Sequence, residues 1–192
     1  PKPLTLIGRS YPVLDGQKKY EIVSVRSGHV SISGFTLQNS GFATLDDHGA
    51  IKLYNVNNCI VSNNILKDNF FGIYVQYGKH CLISGNRIES HGTEEQQIGN
   101  GIHCWKSDSL QIINNSITGH RDGIYFEFVT HSVIWRNRSH HNIRYGLHFM
   151  FSNDDAYFTN VFTDNGAGVA VMFTKGVMMA NTGGQWSSPA FY

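Results

Sequence analysis

Gly146-Leu147-His148-Phe149-Met150-Phe151-Ser152-Asn153-Asp154-Asp155 opens one turn of an internal repeat, and the other turns align on it. With Glu21, Ala50, Gly72, Gly101, Gly123, Gly146 and Gly168 in one column, the spacings are 29, 22, 29, 22, 23 and 22. One position later stand Ile22, Ile51, Ile73, Ile102, Ile124, Leu147 and Val169, all aliphatic. Three positions later stand Ser24, Leu53, Val75, Cys104, Phe126, Phe149 and Val171. A later column reads Phe35, Asn64, Asn86, Asn115, Asn137 and Asn160, and two residues on it reads Leu37, Leu66, Ile88, Ile117, Ser139 and Phe162. A last column reads Ser40, Asn69, His91, His120, Asn142 and Asn165.

A register held over this many turns, built of short alternating strands and Asn/Gly turns, predicts an all-β, single-domain parallel β-helix of about seven turns of roughly 22 residues. The coil is right-handed by precedent. No turn can bury its own apolar face, so stacked turns share one core, with about 4.8 Å between neighbouring strands. The Asn column predicts amides bonded from turn to turn, and Asn also suits a left-handed corner. The apolar period is two, and no stretch sustains a helical period.

The repeat domain is expected to span residues 1–179, with Leu4–Gly16 as a short opening turn. Residues 180–192 lose the pattern, with Thr182 where Asn is expected, and read as a cap or a disordered tail. Two turns carry extra residues at one corner, within Asn39–Gly49 and within His91–Asn100. Same-corner insertions on a solenoid build up one face, often the binding face.

Composition bounds the partners. The chain has 192 residues and a formal charge of +1, which gives no pull toward nucleic acid or an acidic membrane. Three cysteines are too few for a disulfide framework. Cys59 and Cys81 share a column and read as stacked core thiols, although their spacing also permits a disulfide. No apolar run is long enough to span a bilayer. The chain opens on Pro1 rather than Met, so it reads as a mature form or a piece of a longer protein, and a missing leader says nothing about compartment.

If the aliphatic columns face inward, the alternate positions face outward. They are Lys52, Tyr74, His103, Tyr125, His148 and Ala170, then Tyr54, Gln76, Trp105, Glu127, Met150 and Met172. Aromatics, His and Met in place of Thr, Ser and Lys mark a binding surface. His148 and Met150 share a face, with Met172 one turn on and Glu127 one turn back. Imidazole with thioether is a soft donor set that favours copper, above all Cu(I). His103 lies two rungs from His148, too far to share one ion. Asp46-Asp47-His48 and Asp154-Asp155 read as turn acids first and as candidate acid/base or ligand groups second. The strip offers one carboxylate, Glu127, whereas a glycosidase needs two about 5–10 Å apart. No phosphate loop, dinucleotide fingerprint or nucleophile elbow is present.

The runs Gly99-Asn100-Gly101-Ile102-His103-Cys104-Trp105, Arg121-Asp122-Gly123-Ile124, His148-Phe149-Met150-Phe151-Ser152-Asn153-Asp154 and Ala170-Val171-Met172-Phe173 resemble the NosD family. The similarity covers roughly residues 1–179, and its most specific part is the His-aromatic-Met-aromatic run with Ala-Val-Met-aromatic one turn on. The resemblance implies a periplasmic, non-enzymatic accessory factor. Such a factor works with a membrane ABC transporter and a copper-chaperone lipoprotein on the copper–sulfide centre of the nitrous-oxide reductase apoprotein. Copper would be bound transiently, with no tightly held cofactor. The expected soft-metal cluster is His148, Met150, Met172, Glu127 and His103. The expected partner surface is Tyr54, Tyr74, Trp105, Tyr125, Asn153 and Asp154. Two other readings stay open: a β-helix that binds or cleaves polysaccharide, and a scaffold that docks protein without metal.

Overall fold

The computed structural model describes residues 2–42 and 48–184. Each turn lays down three short strands, and equivalent strands of successive turns pair in parallel. Among the described residues two sheets of eight strands and a third of seven result. The third sheet carries the outward strip. Its strands are Val23–Val25, Gly49–Tyr54, Phe71–Gln76, Ile102–Trp105, Ile124–Glu127, Tyr145–Met150 and Ala167–Met172.

The alignment read from the sequence is the physical register. Ile51, Ile73, Ile102, Ile124, Leu147 and Val169 form one ladder. Leu53, Val75, Cys104, Phe126 and Phe149 form the next inward one and belong to the buried core. The opening glycines have a steric reason. A Cβ on Gly72 would lie 2.4 Å from the Gly101 carbonyl oxygen, and one on Gly123 would lie 1.9 Å from Ser139 Oγ.

The Asn column bonds as expected. Nδ2 of Asn64, Asn86, Asn115 and Asn137 each donates to Oδ1 of the next Asn at 3.0–3.1 Å. Each also caps a carbonyl inside the coil, as Asn115 does for Ile83 at 3.0 Å. The left-handed backbone, however, falls one residue earlier, at Asn63, Gly85, Asn114, Arg136 and Thr159. The ladder amide needs an extended residue to point inward, so the bend is made just before it. Cys59, Cys81 and Cys104 are free thiols in the core, and no disulfide joins the first two.

His120 takes an Asn place in the last column. It is fully buried, and neither ring nitrogen has a partner. Burial pushes its pKa down to about 4 from the ordinary 6.5. The neutral ring therefore supports the fold above pH 6.5, and that support is lost as pH falls through about 4. His120→Asn should make urea stability less acid-sensitive. Between pH 7 and 4.5 the parent is expected to lose about 2 kcal/mol more than the variant.

The second insertion holds a 3₁₀ turn, Glu95–Gln97, and its Glu95 reaches Arg144, beside the first residue of the strand Tyr145–Met150. Ile98 is buried, and a Cβ on Gly99 would lie 2.7 Å from the Phe71 ring. Asp46 and Asp47, in the first insertion, lie outside the described residues. Beyond residue 179 stacking continues. Met178–Ala180 pairs with Ala156–Phe158, and Gly183–Gly184 pairs with Val161–Phe162.

Candidate functional site

The outward strip folds as a column of rings. Tyr74, His103, Tyr125 and His148 follow one another edge to face, with centroids 4.6, 4.9 and 4.8 Å apart. Tyr145 closes on His148 from its own strand at 4.8 Å. Register dictates this, because strands about 4.8 Å apart hold like positions within ring contact.

Packing changes the exposure expected of the strip. His148 is 2% exposed, Tyr74 4% and Tyr125 9%, although all three sit on the sheet's outer side. His103 and Tyr125 lie between rings, while Tyr74 is covered by Lys52 and Phe71 and His148 has Ala170 on the following rung, and the second insertion lies against Phe71 at the strand edge. The open part of the strip is the next column, where Tyr54, Trp105, Glu127, Met150 and Met172 are half-buried. Glu127, Met150 and Met172 occupy successive rungs of one ladder.

His148 is held by residues outside the expected cluster. Its Nδ1 lies 3.5 Å from Asp122 Oδ2, and Asp122 is 1% exposed. The other Asp122 oxygen accepts the Tyr145 amide at 3.3 Å and faces Arg144 Nε at 3.6 Å. Arg144 in turn faces Glu95 of the second insertion at 3.3 Å. A carboxylate on Nδ1 fixes the tautomer and leaves the lone pair on Nε2. That Nε2 is buried and has no hydrogen-bond partner. A buried polar atom without a partner costs about 1–3 kcal/mol.

Beside it, Tyr125 Oη donates to Met150 Sδ at 3.6 Å. Burial, then Glu127, pushes the Tyr125 phenol up to about 12, so it stays a donor at neutral pH. His103 is tied to Asn100, its Nδ1 3.1 Å from that amide. Burial, then Arg121 and Lys52, pushes it down to about 3. The Tyr125 ring separates it from His148, so the two imidazoles do not converge. Among the described residues no group of three or more His, Cys, Asp or Glu is arranged to hold a metal. Met150 stands two residues from His148 on the same strand, and Met172 pairs with Met150 on the next turn.

Asn153 and Asp154 lie at the following corner. Asn153 Oδ1 accepts the Lys175 amide at 2.8 Å, and Asp154 is left-handed with φ 58°. Asp155 differs from its reading as a turn acid, because it points inward and is 1% exposed.

Sequence reasoning missed a second aromatic feature. Phe128, Phe151 and Phe173 stack nearly parallel at 5.2 and 5.0 Å, and all three are exposed. Their φ values are 53°, 49° and 51°. A left-handed bulky residue costs about 1–2 kcal/mol, and stacking offsets about 0.5–1.5 of it. The missed signal was the same aromatic recurring directly after Glu127, Met150 and Met172.

Comparison with known proteins places the fold. Residues 21–182 match the family described as "Right handed beta helix region". The chain is 27% identical over 124 residues to the "Probable ABC transporter binding protein NosD" of Stutzerimonas stutzeri. That alignment takes in 64% of this chain and 28% of the relative, so the chain spans well under a third of the protein it matches. A DFA-IIIase from Arthrobacter chlorophenolicus A6 in complex with DFA-III superposes with a TM-score of 0.54 at 18% identity, over 71% of this chain and 31% of the enzyme. PfbA, a surface adhesin of Streptococcus pneumoniae, gives 0.52 at 12% identity, over 96% and 66%. The periplasmic alginate epimerase AlgG gives 0.50 at 14% identity, over 81% and 50%. At these identities the structural likenesses establish the coil and nothing about chemistry.

Proposed function

The chain belongs to the right-handed β-helix family, and from that premise we propose that it serves as a periplasmic accessory factor in assembly of the copper–sulfide centre of nitrous-oxide reductase. In this reading copper is cargo, received from a copper-chaperone lipoprotein and passed to the reductase apoprotein. An ABC transporter is the membrane partner, in keeping with the name of the NosD relative. No catalytic role is assigned to the chain.

The observation that carries the proposal is the unpartnered His148 Nε2 on the same wall as the Met150 and Met172 thioethers. One imidazole and two thioethers suit Cu(I) and bind it loosely enough for hand-over. Asp122 orients the imidazole through its Nδ1. Tyr125 positions the Met150 sulfur. Trp105 and Tyr54 flank the approach as a half-buried docking rim.

Competition of Cu(I) against a chromophoric chelator tests this. His148→Gln/Met150→Leu keeps side-chain volume and should weaken affinity by about 100-fold or more. Circular dichroism of the variant should match the parent. Unchanged affinity in a folded double variant removes these residues from the ligand set. Capture of the reductase without any bound copper would favour pure scaffolding instead.

A further inference from the structure

Just past the third sheet the chain bends at one residue per turn, and the bends align as a ridge. Asn55, Tyr77, Lys106, Phe128, Phe151 and Phe173 follow one another, each of the first five donating its amide to the following turn. All six are left-handed, with φ between 46° and 54°. Asn or Gly takes this conformation at little cost, and a bulky side chain does not. Yet Tyr77 is 38% exposed, Phe128 44% and Phe151 40%, so burial does not offset the strain. Strained backbone that carries an exposed apolar ridge marks a surface in use.

At the Tyr77 end the ridge borders a cleft of about 420 Å³, walled by Tyr54, Asn55, Tyr77, Lys79 and Lys106. Its charged groups are all cations. Tyr54 meets Tyr77 edge to face at 6.1 Å, and Tyr77 meets Trp105 at 5.1 Å. Cations rest on these rings. Lys106 Nζ lies 4.4 Å over Trp105 and 5.9 Å from the Phe128 centroid, and Arg26 Cζ lies 5.1 Å over Tyr54. Among the described residues no carboxylate, Glu127 included, lies within 4 Å of Arg26, Lys79 or Lys106. Asp108 stands beside Lys79 in register, but Ser109, Thr130 and His131 occupy it at 2.7, 2.7 and 2.9 Å.

A cleft with cations and no acid is complementary to anions. The ridge beside it decides which anion. Phe128 and Phe151 stack 5.2 Å apart and 9° from parallel, so their faces cover each other and their edges show. A sugar acid packs its C–H face on an open ring face, and finds none here. Branched and aromatic side chains cover ring edges well. An anionic lipid surface needs cations that reach outward, whereas Lys106 lies down on Trp105 beside a concavity. We propose that the cleft and the adjoining Phe128–Phe151 ridge dock an acidic peptide segment of a partner protein, with carboxylates on Lys79 and Lys106 and apolar side chains on the ridge. From Tyr77 to Phe151 is three rungs, about 14 Å, the reach of about four extended residues.

The surface shares Tyr54 and Trp105 with the rim of the copper wall, so it rests on that reading for its role, but it needs no metal to bind. The probe is a fluorescent octapeptide of two Glu-Glu-Leu-Phe repeats, titrated into the metal-free chain and read by anisotropy. It should bind with a Kd of about 100 μM or tighter, and weaken about tenfold between about 50 and about 500 mM salt. Lys79→Gln/Lys106→Gln and Phe128→Ser/Phe151→Ser should each weaken it about tenfold or more, with circular dichroism matching the parent. Arg136→Gln removes a cation 4.4 Å over the Trp135 ring on another sheet and should leave it unchanged. Cu(I) affinity in Lys79→Gln/Lys106→Gln should equal the parent's, so failure of docking and failure of copper binding are read separately. Four outcomes overturn the proposal. They are no binding at about 1 mM, equal binding of a Gln-Gln-Leu-Phe peptide, tighter binding of polygalacturonate or phosphatidylglycerol vesicles than of the acidic peptide, or peptide binding that both double variants leave intact.

Discussion

Asn115→Ala is expected to lower the stability of the coil by about 4 kcal/mol, read as a fall in the urea midpoint. The side chain of Asn115 makes four buried hydrogen bonds. Its Oδ1 accepts the Asn86 backbone amide and the Asn86 Nδ2, each at 3.0 Å. Its Nδ2 donates to the Ile83 carbonyl and to Asn137 Oδ1, each at 3.0 Å. Truncation orphans the Asn86 amide and takes a donor from the Ile83 carbonyl, in a place where water cannot follow. Each orphaned group costs about 1–3 kcal/mol, and the cavity adds to that. The neighbouring Asn114 is the control. It is exposed and left-handed, with φ 55°. Asn114→Ala meets only backbone strain, about 1 kcal/mol. Equal losses at the two positions would mean that the ladder contributes no more than the bend beside it.

Asp155→Asn should have the opposite sign and a strong pH dependence. Asp155 is 1% exposed, and its Oδ1 accepts the Ser132 amide at 2.8 Å while Oδ2 has no partner. Burial pushes its pKa up from 3.8 to about 7. The folded chain therefore holds a proton that the unfolded chain has released. The associated stability is present below pH 3.8 and is lost as pH rises through about 7. Asn keeps the acceptor for Ser132 and never ionises. The variant and the parent should be nearly equal at pH 4. At pH 8 the variant should be more stable by about 3–4 kcal/mol, the worth of a shift of roughly three pH units. A difference that stays flat from pH 4 to pH 8 would show that Asp155 ionises as freely in the coil as in water.

The coil itself was legible because each turn contacts only its neighbours. Periodicity alone then dictates which residues pair, and the Ile51 to Val169 ladder could be read directly. Asp155 was misread for a local reason. Beside Asp154 it looks like half of a turn, yet its column runs through Cys59, Cys81, Leu110 and Ser132, all buried. Following the column rather than the dipeptide would have placed it inside. Burial of His148 was not legible. It depends on ring contacts with Tyr125 and Tyr145 and on Asp122, which lies 26 residues away. Glu95, which reaches Arg144 from the second insertion, obeys no repeat at all. Irregular segments carry no period, so what they cover cannot be derived from one.

The alternation along each strand also limits how this kind of chain can change. One residue added inside Tyr145–Met150 would swap His148 for Phe149 on the outer wall and disrupt every later ladder. The same residue added at a bend is absorbed, as the 23-residue step from Gly123 to Gly146 shows. Length variation is therefore channelled to the bends, while the walls keep a rigid metre. Novelty in such a molecule accumulates as outgrowths from its edges, with the faces left to hold the beat.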